Sequence, residues 1–290
     1  MSKSLEINEQ DIIRYYETCE SDYRLLWHLS EQHAMHYGYW KEDTALLRDA
    51  LRNMNDFVLE KLNIQSGNRL LDAGCGIGGT ALYAARKYGC AVTGITLSPK
   101  QCAKARILSI QKNLSDKVSF EIQNYTQTSF GNHSFHGIYG IESICHASSK
   151  SHFLREAFRL IIPSGRLVVA DFFKTAHTER HSDEECLRKW AETWAVPDFA
   201  ETELFIEEAK KEGFRLITNE NITERIHKSA RRLYQYFFPG IFCHSILWMI
   251  GLRNRVQGKN MWSTYYQYKS LQSKLWEYRV IVFEKPKDNG

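Results

Sequence analysis

The sequence predicts an α/β protein built on a doubly wound, mostly parallel sheet of seven strands with a helical lid. Three observations lead there: short apolar runs alternate with longer amphipathic stretches, one run empties into a glycine-rich turn, and a long helix-patterned stretch separates the last two strands. Strands are expected at 69–73, 91–95, 118–122, 137–141, 166–171, 214–220 and 278–284, each a short run rich in apolar or β-branched residues. Helices are expected near 79–88, 99–113, 151–161 and 202–212, and strands joined through helices pair in parallel. The stretch 223–277 lies where a minimal fold would use a turn, so it reads as an inserted lid; a further helical segment, 9–29, precedes the sheet.

Composition agrees with one large packed core. Of 290 residues, 43% are hydrophobic and 13% aromatic, while glycine and proline number only 17 and 5, which excludes a disordered or linker-rich chain. The net charge of +4, with no basic run and no stacking motif, is too small for a dedicated nucleic-acid binder. Seven cysteines (19, 75, 90, 102, 145, 186, 243), odd in number and without a C-x-x-C pair, predict neither a disulfide framework nor a metal site, and point to a reducing, cytoplasmic setting. The N-terminus lacks the apolar core of a signal peptide. The most apolar run, 237–252, is broken by Pro239, Gly240 and His244 and falls short of the roughly 20 residues that a membrane span needs. Lying on a membrane surface stays compatible with it.

The run Leu70-Leu71-Asp72-Ala73-Gly74-Cys75-Gly76-Ile77-Gly78-Gly79 is a strand, a glycine turn and a helix start. Glycines permit a tight turn and close backbone approach, and the helix that follows offers unpaired N–H groups, so a nucleotide-type ligand is expected. Gly74, Gly76 and Gly79 satisfy G-x-G-x-x-G, a pattern also used by dinucleotide enzymes. Asp72, two residues before Gly74, suits a cationic amino group, and the second strand ends Gly94-Ile95-Thr96 without the carboxylate that a nicotinamide site places there. A nicotinamide-dependent oxidoreductase is the alternative from another class.

The same ten residues resemble the first motif of class I S-adenosylmethionine-dependent methyltransferases. The resemblance implies a Rossmann-like fold, S-adenosyl-L-methionine as cofactor, and contact of Asp72, Gly74, Cys75 and Gly76 with its methionine part. Thr93 to Gln101 resembles the G-x-T-L-S-x-x-Q variant of tocopherol-type and cyclopropane-synthase-type members. It implies that Thr96 and Gln101 meet the ribose, a hydroxyl and an amide replacing the commoner carboxylate, and that Leu97 between them also contacts the cofactor. Asn124-Tyr125 stands where the family has an Asp facing the adenine amino group, a role that the Asn124 amide oxygen can still fill. Ile141-Glu142-Ser143-Ile144-Cys145-His146-Ala147 resembles the I-E-A-T-C-H-A block of sterol C-methyltransferases and lies at the end of the fourth strand, where open α/β sheets bind ligands. Ile141 is expected on the cofactor, Glu142 and His146 at the reaction.

Methyl transfer from a sulfonium is an in-line displacement that needs alignment and exclusion of water. A carbon acceptor passes through a cation, which aromatic faces stabilise and a base resolves by taking a proton. Glu142 and His146 are the candidate bases. Tyr15, Tyr16, Tyr23 and Trp27 recur at helical spacing, and His36, Tyr37 and Tyr39 lie in a loop resembling the M-H-x-G-Y-W loop of the tocopherol group; core packing is the competing role for the stripe. Phe237 and Phe238 are the candidate substrate contacts of the lid.

The expected acceptor is a small, largely apolar molecule, most simply a carbon of an isoprenoid, sterol-like or prenylated phenolic compound, with nitrogen or oxygen of a small amphipathic metabolite as the alternative. Residues 1–60 then form a helical segment and active-site loop, 61–222 the cofactor-binding core, 223–277 the lid, and 278–290 the last strand and tail. From residue 221 onward 12 basic residues face 4 acidic ones, so the lid end carries +8 and the rest −4. That asymmetry suits an acidic head group or peripheral contact with an anionic membrane. Oligomeric state is left open.

Overall fold

The computed structural model describes residues 5–26, 33–175 and 181–287. Helix α1 (Glu9–Leu26) and α2 (Leu47–Lys61) precede β1 (Arg69–Ala73), α3 (Gly79–Tyr88), β2 (Ala91–Thr96), α4 (Pro99–Gln111), β3 (Val118–Ile122) and β4 (Phe135–Ile141). A single 3₁₀ turn at Ile144–His146 leads to α5 (Lys150–Leu160), β5 (Ile161–Lys174), α6 (His181–Thr193), α7 (Thr202–Lys211) and β6 (Arg215–Asn221). The long α8 (Thr223–Met249), α9 (Arg255–Gln272) and β7 (Trp276–Glu284) complete the chain. The strands form one sheet in the order β3-β2-β1-β4-β5-β7-β6. The first five neighbours pair in parallel, whereas β7 runs antiparallel to both β5 and β6.

Period-two alternation sorts the strand residues between two cores. Leu70, Val92, Val168 and Ala170 face the side covered by α2, α3, α4, α6 and α9, while Leu71, Ile95, Val169 and Ile281 face α5 and α7. With both faces covered, the central strands read as continuous apolar runs rather than alternating ones. Local chemistry sets the helix starts. Ser98 accepts from the Gln101 N–H with Pro99 in the first turn, Ser149 accepts from the His152 N–H, and Asn254 and Gln257 form a reciprocal capping box at α9.

All seven expected strands are present, and so are the four expected helices between them, to within a few residues. The fifth strand is longer than expected. Pro163-Ser164-Gly165 is an irregularity within it: pairing jumps from Phe135 opposite Ile161 to Gly137 opposite Arg166, and Ser164 takes φ +66°. The sequence reading contained no counterpart of α2 or α6. Helix α1 is described to Leu26, so residues 27–29 of the expected segment lie outside the described residues. The stretch 223–277 is a pair of helices, with α9 packed against α1, α6 and α8.

Gly78 shows how tightly the turn after β1 is built. It takes φ +84°, and a Cβ there would sit 2.4 Å from the Phe120 ring. Gly78→Ala is expected to cost about 2–5 kcal/mol, left-handed strain plus overpacking, read as a lower urea midpoint at unchanged slope.

Candidate active site

The carboxyl ends of β1, β2 and β4 open onto one cleft, enclosing about 910 Å³ of empty space with its mouth included. From the sequence-predicted residues, Asp72, Gly74, Cys75, Gly76, Thr96, Leu97, Gln101, Tyr125 and Ile141 line it, as do Glu142, His146, Tyr16 and His36. Gly74 turns the backbone with φ +88°, and a Cβ at this position would strike the Ser143 side chain at 2.4 Å. The Thr96 hydroxyl donates to Gln101 Oε1 at 2.8 Å and accepts from the Ser98 N–H, so the two predicted ribose residues present a single neutral unit.

Asp72 is buried, and its Oδ2 has no hydrogen-bond partner. Burial pushes its carboxyl up to about 7, against the pull of the neighbouring Tyr139 hydroxyl. An orphaned carboxyl at the head of a glycine turn is complementary to a cation and opposed to a diphosphate. With no carboxylate at the end of β2, the donor set fits the ammonium and ribose of S-adenosylmethionine better than a dinucleotide.

Glu142 follows β4 in the left-handed region, φ +51°, a conformation that costs a residue with a Cβ about 1–3 kcal/mol. It is held from several sides. Its N–H donates to Ala170 O at 2.9 Å, and its Oε1 accepts from the Tyr37 N–H at 2.6 Å and the Tyr278 hydroxyl at 2.9 Å. Burial raises its carboxyl to about 8 in spite of those two bonds. The following turn is braced likewise: the Ser143 hydroxyl donates to Ala73 O, the Cys145 N–H to Asp171 Oδ2, and the Tyr125 hydroxyl to Ser143 O.

His146 Nδ1 donates to Ala195 O at 2.9 Å, which leaves Nε2 as the acceptor for the Tyr16 hydroxyl at 2.8 Å. Burial lowers the imidazole to about 4, so it is neutral near pH 7. Tyr16 and Trp194 stand edge-on to the ring, at 5.4 and 5.1 Å between centroids.

Behind Glu142 and Met35 the cleft meets a second chamber of about 470 Å³, roofed by the lid. Tyr15, Tyr23 and Tyr37 line it, as expected of substrate contacts, together with Trp194 and Leu233. The sequence reading missed its other wall. Asn260, Ser263, Thr264 and Gln267, all buried, line the chamber from α9. Their spacing of three, one and three residues puts small polar groups on one helical face, a signal legible before folding but hidden among the lid's aromatics. Asp22 completes the polar side; its Oδ2 accepts from Arg253 at 2.6 Å and from Asn260 at 3.1 Å, tying α1 to the lid.

Four predicted residues line neither space. Asn124 is spent locally: its Oδ1 accepts from the Thr126 N–H and hydroxyl in an Asx turn, and its Nδ2 donates to Glu9. Tyr39 stacks on Phe57 of α2 at 4.6 Å. Phe237 packs between α8 and α9 against Trp262 and Tyr265, and Phe238 points to solvent, 55% exposed. Trp27 lies outside the described residues. His36 lines the cleft with both ring nitrogens engaged, by Tyr37 O and the Asn55 side chain, which makes it a brace of the loop.

A parallel sheet with an antiparallel seventh strand and a glycine turn after β1 is a Rossmann-like methyltransferase fold, shared with the cyclopropane synthase MmaA2 of Mycobacterium tuberculosis at a TM-score of 0.79 over 98% of this chain and 100% of that one, at 19% identity. Residues 3–237 match the family described as mycolic acid cyclopropane synthetase, and the chain belongs to that family. The O-methyltransferase resE of Aspergillus sclerotiorum is 30% identical over 201 residues, 69% of this chain and 75% of resE. The chloroplastic tocopherol O-methyltransferase of Arabidopsis thaliana is 28% identical over 170 residues, 54% of this chain and 47% of that protein. Two further curated relatives, at 35% and 34% identity, are each matched over about half their length. In fold, the crystal structure of the cyclase SpnF superimposes with a TM-score of 0.80 over 97% of both chains, at 23% identity.

The raised carboxyl of Glu142 has a sign that a variant can test. Between its usual range and about pH 8 the folded state keeps a proton that the unfolded chain has released, so this group's contribution is full below the usual range and is lost as pH rises towards 8. Glu142→Gln is therefore expected to gain stability relative to the native chain from about pH 5 to 8, by up to ~1.4 kcal/mol per pH unit, and to hold that difference constant above. Urea titrations across pH measure it; parallel profiles would remove the assigned shift.

Proposed function

We propose that this protein is an S-adenosylmethionine-dependent methyltransferase whose acceptor is a small, largely apolar molecule with a hydroxyl-bearing, electron-rich ring, of the prenylated phenol kind. The observation that supports it most directly is that Glu142 lines both the cleft, which it shares with Asp72, and the chamber behind it. When bound, the cofactor supplies an activated methyl group on a sulfonium.

The chain's own residues supply the rest. Asp72 meets the ammonium, the glycine turn admits the methionine part without side chains in the way, and Thr96 with Gln101 takes the ribose. Tyr15, Tyr23 and Trp194 offer aromatic faces to the acceptor body and to positive charge developing on it. The Asn260–Gln267 stripe receives its polar groups. Glu142, in its carboxylate form, takes the proton that a ring hydroxyl or a methylated ring carbon must lose. His146, fixed as the neutral Nδ1–H tautomer, holds the Tyr16 hydroxyl through Nε2 and so orients that ring at the cleft.

Loss of a phenolic proton makes both the oxygen and the adjacent ring carbons nucleophilic. Carbon is the first reading because the chamber's aromatic walls suit a cationic intermediate. Oxygen is the second, favoured by the polar stripe and by the names of the two O-methyltransferase relatives. The seven cysteines are unpaired and four of them buried, which supports a reducing, cytoplasmic setting.

Two measurements check the proposal. Calorimetry with S-adenosylhomocysteine at pH 7 is expected to release about half a proton as Asp72 ionises, with affinity falling about 10–100-fold in Asp72→Asn. Binding of NAD(H) in place of S-adenosylhomocysteine would overturn the assignment. With a phenolic acceptor, the Glu142→Gln variant is expected to lose about 10²–10⁴-fold in kcat, and native activity to rise with pH towards about 8. Full turnover by the variant would remove Glu142 from the reaction.

A further inference from the structure

The second half of α8 presents an apolar face to solvent. From Leu233 to Leu252 no residue carries a charge, and Phe238, Phe242, Ile246 and Met249 recur at three- and four-residue spacing along one side of the helix. These four are exposed, Phe242 at 67% and Met249 at 71%, and Trp248, Ile250 and Leu252 continue the patch through the turn into α9. A helix on a protein surface ordinarily turns this side polar. The opposite side is already used: Leu233 lines the chamber and Phe237 packs on α9, about half a turn from Phe242. The family match ends at Phe237, so the apolar face belongs to the part of α8 beyond it.

Charge selects the occupant. Arg231 and Arg255, both exposed, bracket the uncharged stretch at either end, and Arg232 lies over the Tyr236 ring at 5.0 Å. Residues 223–260 hold seven basic side chains against one acidic one, Glu224. A second copy of this chain apposing the same face would bring two cationic rims together, whereas an anionic lipid surface neutralises them and receives the aromatic and aliphatic side chains. Among the described residues no helix is long and apolar enough to cross a membrane, so the helix would lie in the interface.

We propose that this face of α8 is an interfacial docking surface for an anionic lipid bilayer, with Phe238, Phe242, Trp248 and Met249 inserting below the head groups and Arg231 and Arg255 meeting lipid phosphates. The test is co-sedimentation of the full chain with vesicles of phosphatidylcholine alone and of phosphatidylcholine mixed with phosphatidylglycerol, beside sedimentation velocity without lipid. Binding is expected to the anionic vesicles and to weaken with salt. It should fall about fivefold for each charge removed in Arg231→Gln and Arg255→Gln and disappear in the double variant Phe242→Ser with Trp248→Ser. Both aromatic positions are exposed, so S-adenosylhomocysteine affinity and melting temperature are expected to stay unchanged and report folding. Absence of vesicle binding by the native chain, or a concentration-dependent dimer abolished by the double variant, would overturn the proposal, the second outcome assigning the face to another copy.

Discussion

One buried carboxyl holds three distant parts of the chain in register. Glu142 Oε1 accepts from the backbone of Tyr37, in the loop before α2, and from the hydroxyl of Tyr278, on the last strand, while its own backbone is pinned to Ala170 of β5. An unsatisfied carboxyl at this depth would be costly, so the loop and the strand cannot leave without exposing that cost. The loop is fastened in turn to the lid, since Gly38 N–H and Trp40 Nε1 both donate to Ser229 of α8. Cleft wall, loop and lid are therefore parts of one hydrogen-bonded unit, and the left-handed backbone at Glu142 is the strain that this unit sustains.

The electrostatic design runs in the same direction. Two buried carboxyls that line the cleft, Asp72 and Glu142, have raised proton affinities, and the imidazole of His146, which lines it too, is kept neutral. A cation entering the cleft would be met by groups that ionise in response, so part of its charge is balanced by protons leaving. The excess of basic over acidic residues lies instead at the lid end of the chain, 12 against 4 from residue 221 onward. The modest net charge of +4 is thus a sum over two surfaces of opposite character.

What was legible in the sequence was whatever is local to a strand end. The glycine turn, the Thr96–Gln101 unit and the Glu142–His146 block each lie within a few residues of the strand that presents them, and parallel pairing brings those ends together with no further information. Where facing depends on tertiary partners, reading failed. Phe237 and Phe238 are adjacent and equally aromatic, yet one is buried against α9 and the other exposed, and only the position of α9 decides which. Tyr37 and Tyr39 part in the same way, inward to the chamber and outward to α2. Asn124 is a different failure. Its local capacity to bond the Thr126 backbone competed with the ligand role assigned by analogy, and in the structure the local partner holds it.

The antiparallel pairing of β6 and β7 sets Asn221 opposite Arg279, so the polypeptide leaves the sheet for α8 and returns from α9 at neighbouring points. Topologically the lid is a hairpin whose turn has swollen into two helices. Such an excursion can be lengthened, shortened or exchanged without re-threading the sheet, since loop closure becomes only slowly more expensive with length. The architecture thus puts the lid outside the threading of the sheet while its side chains, Ser229 to the loop and Arg253 and Asn260 to Asp22 of α1, tie it to the cleft it covers.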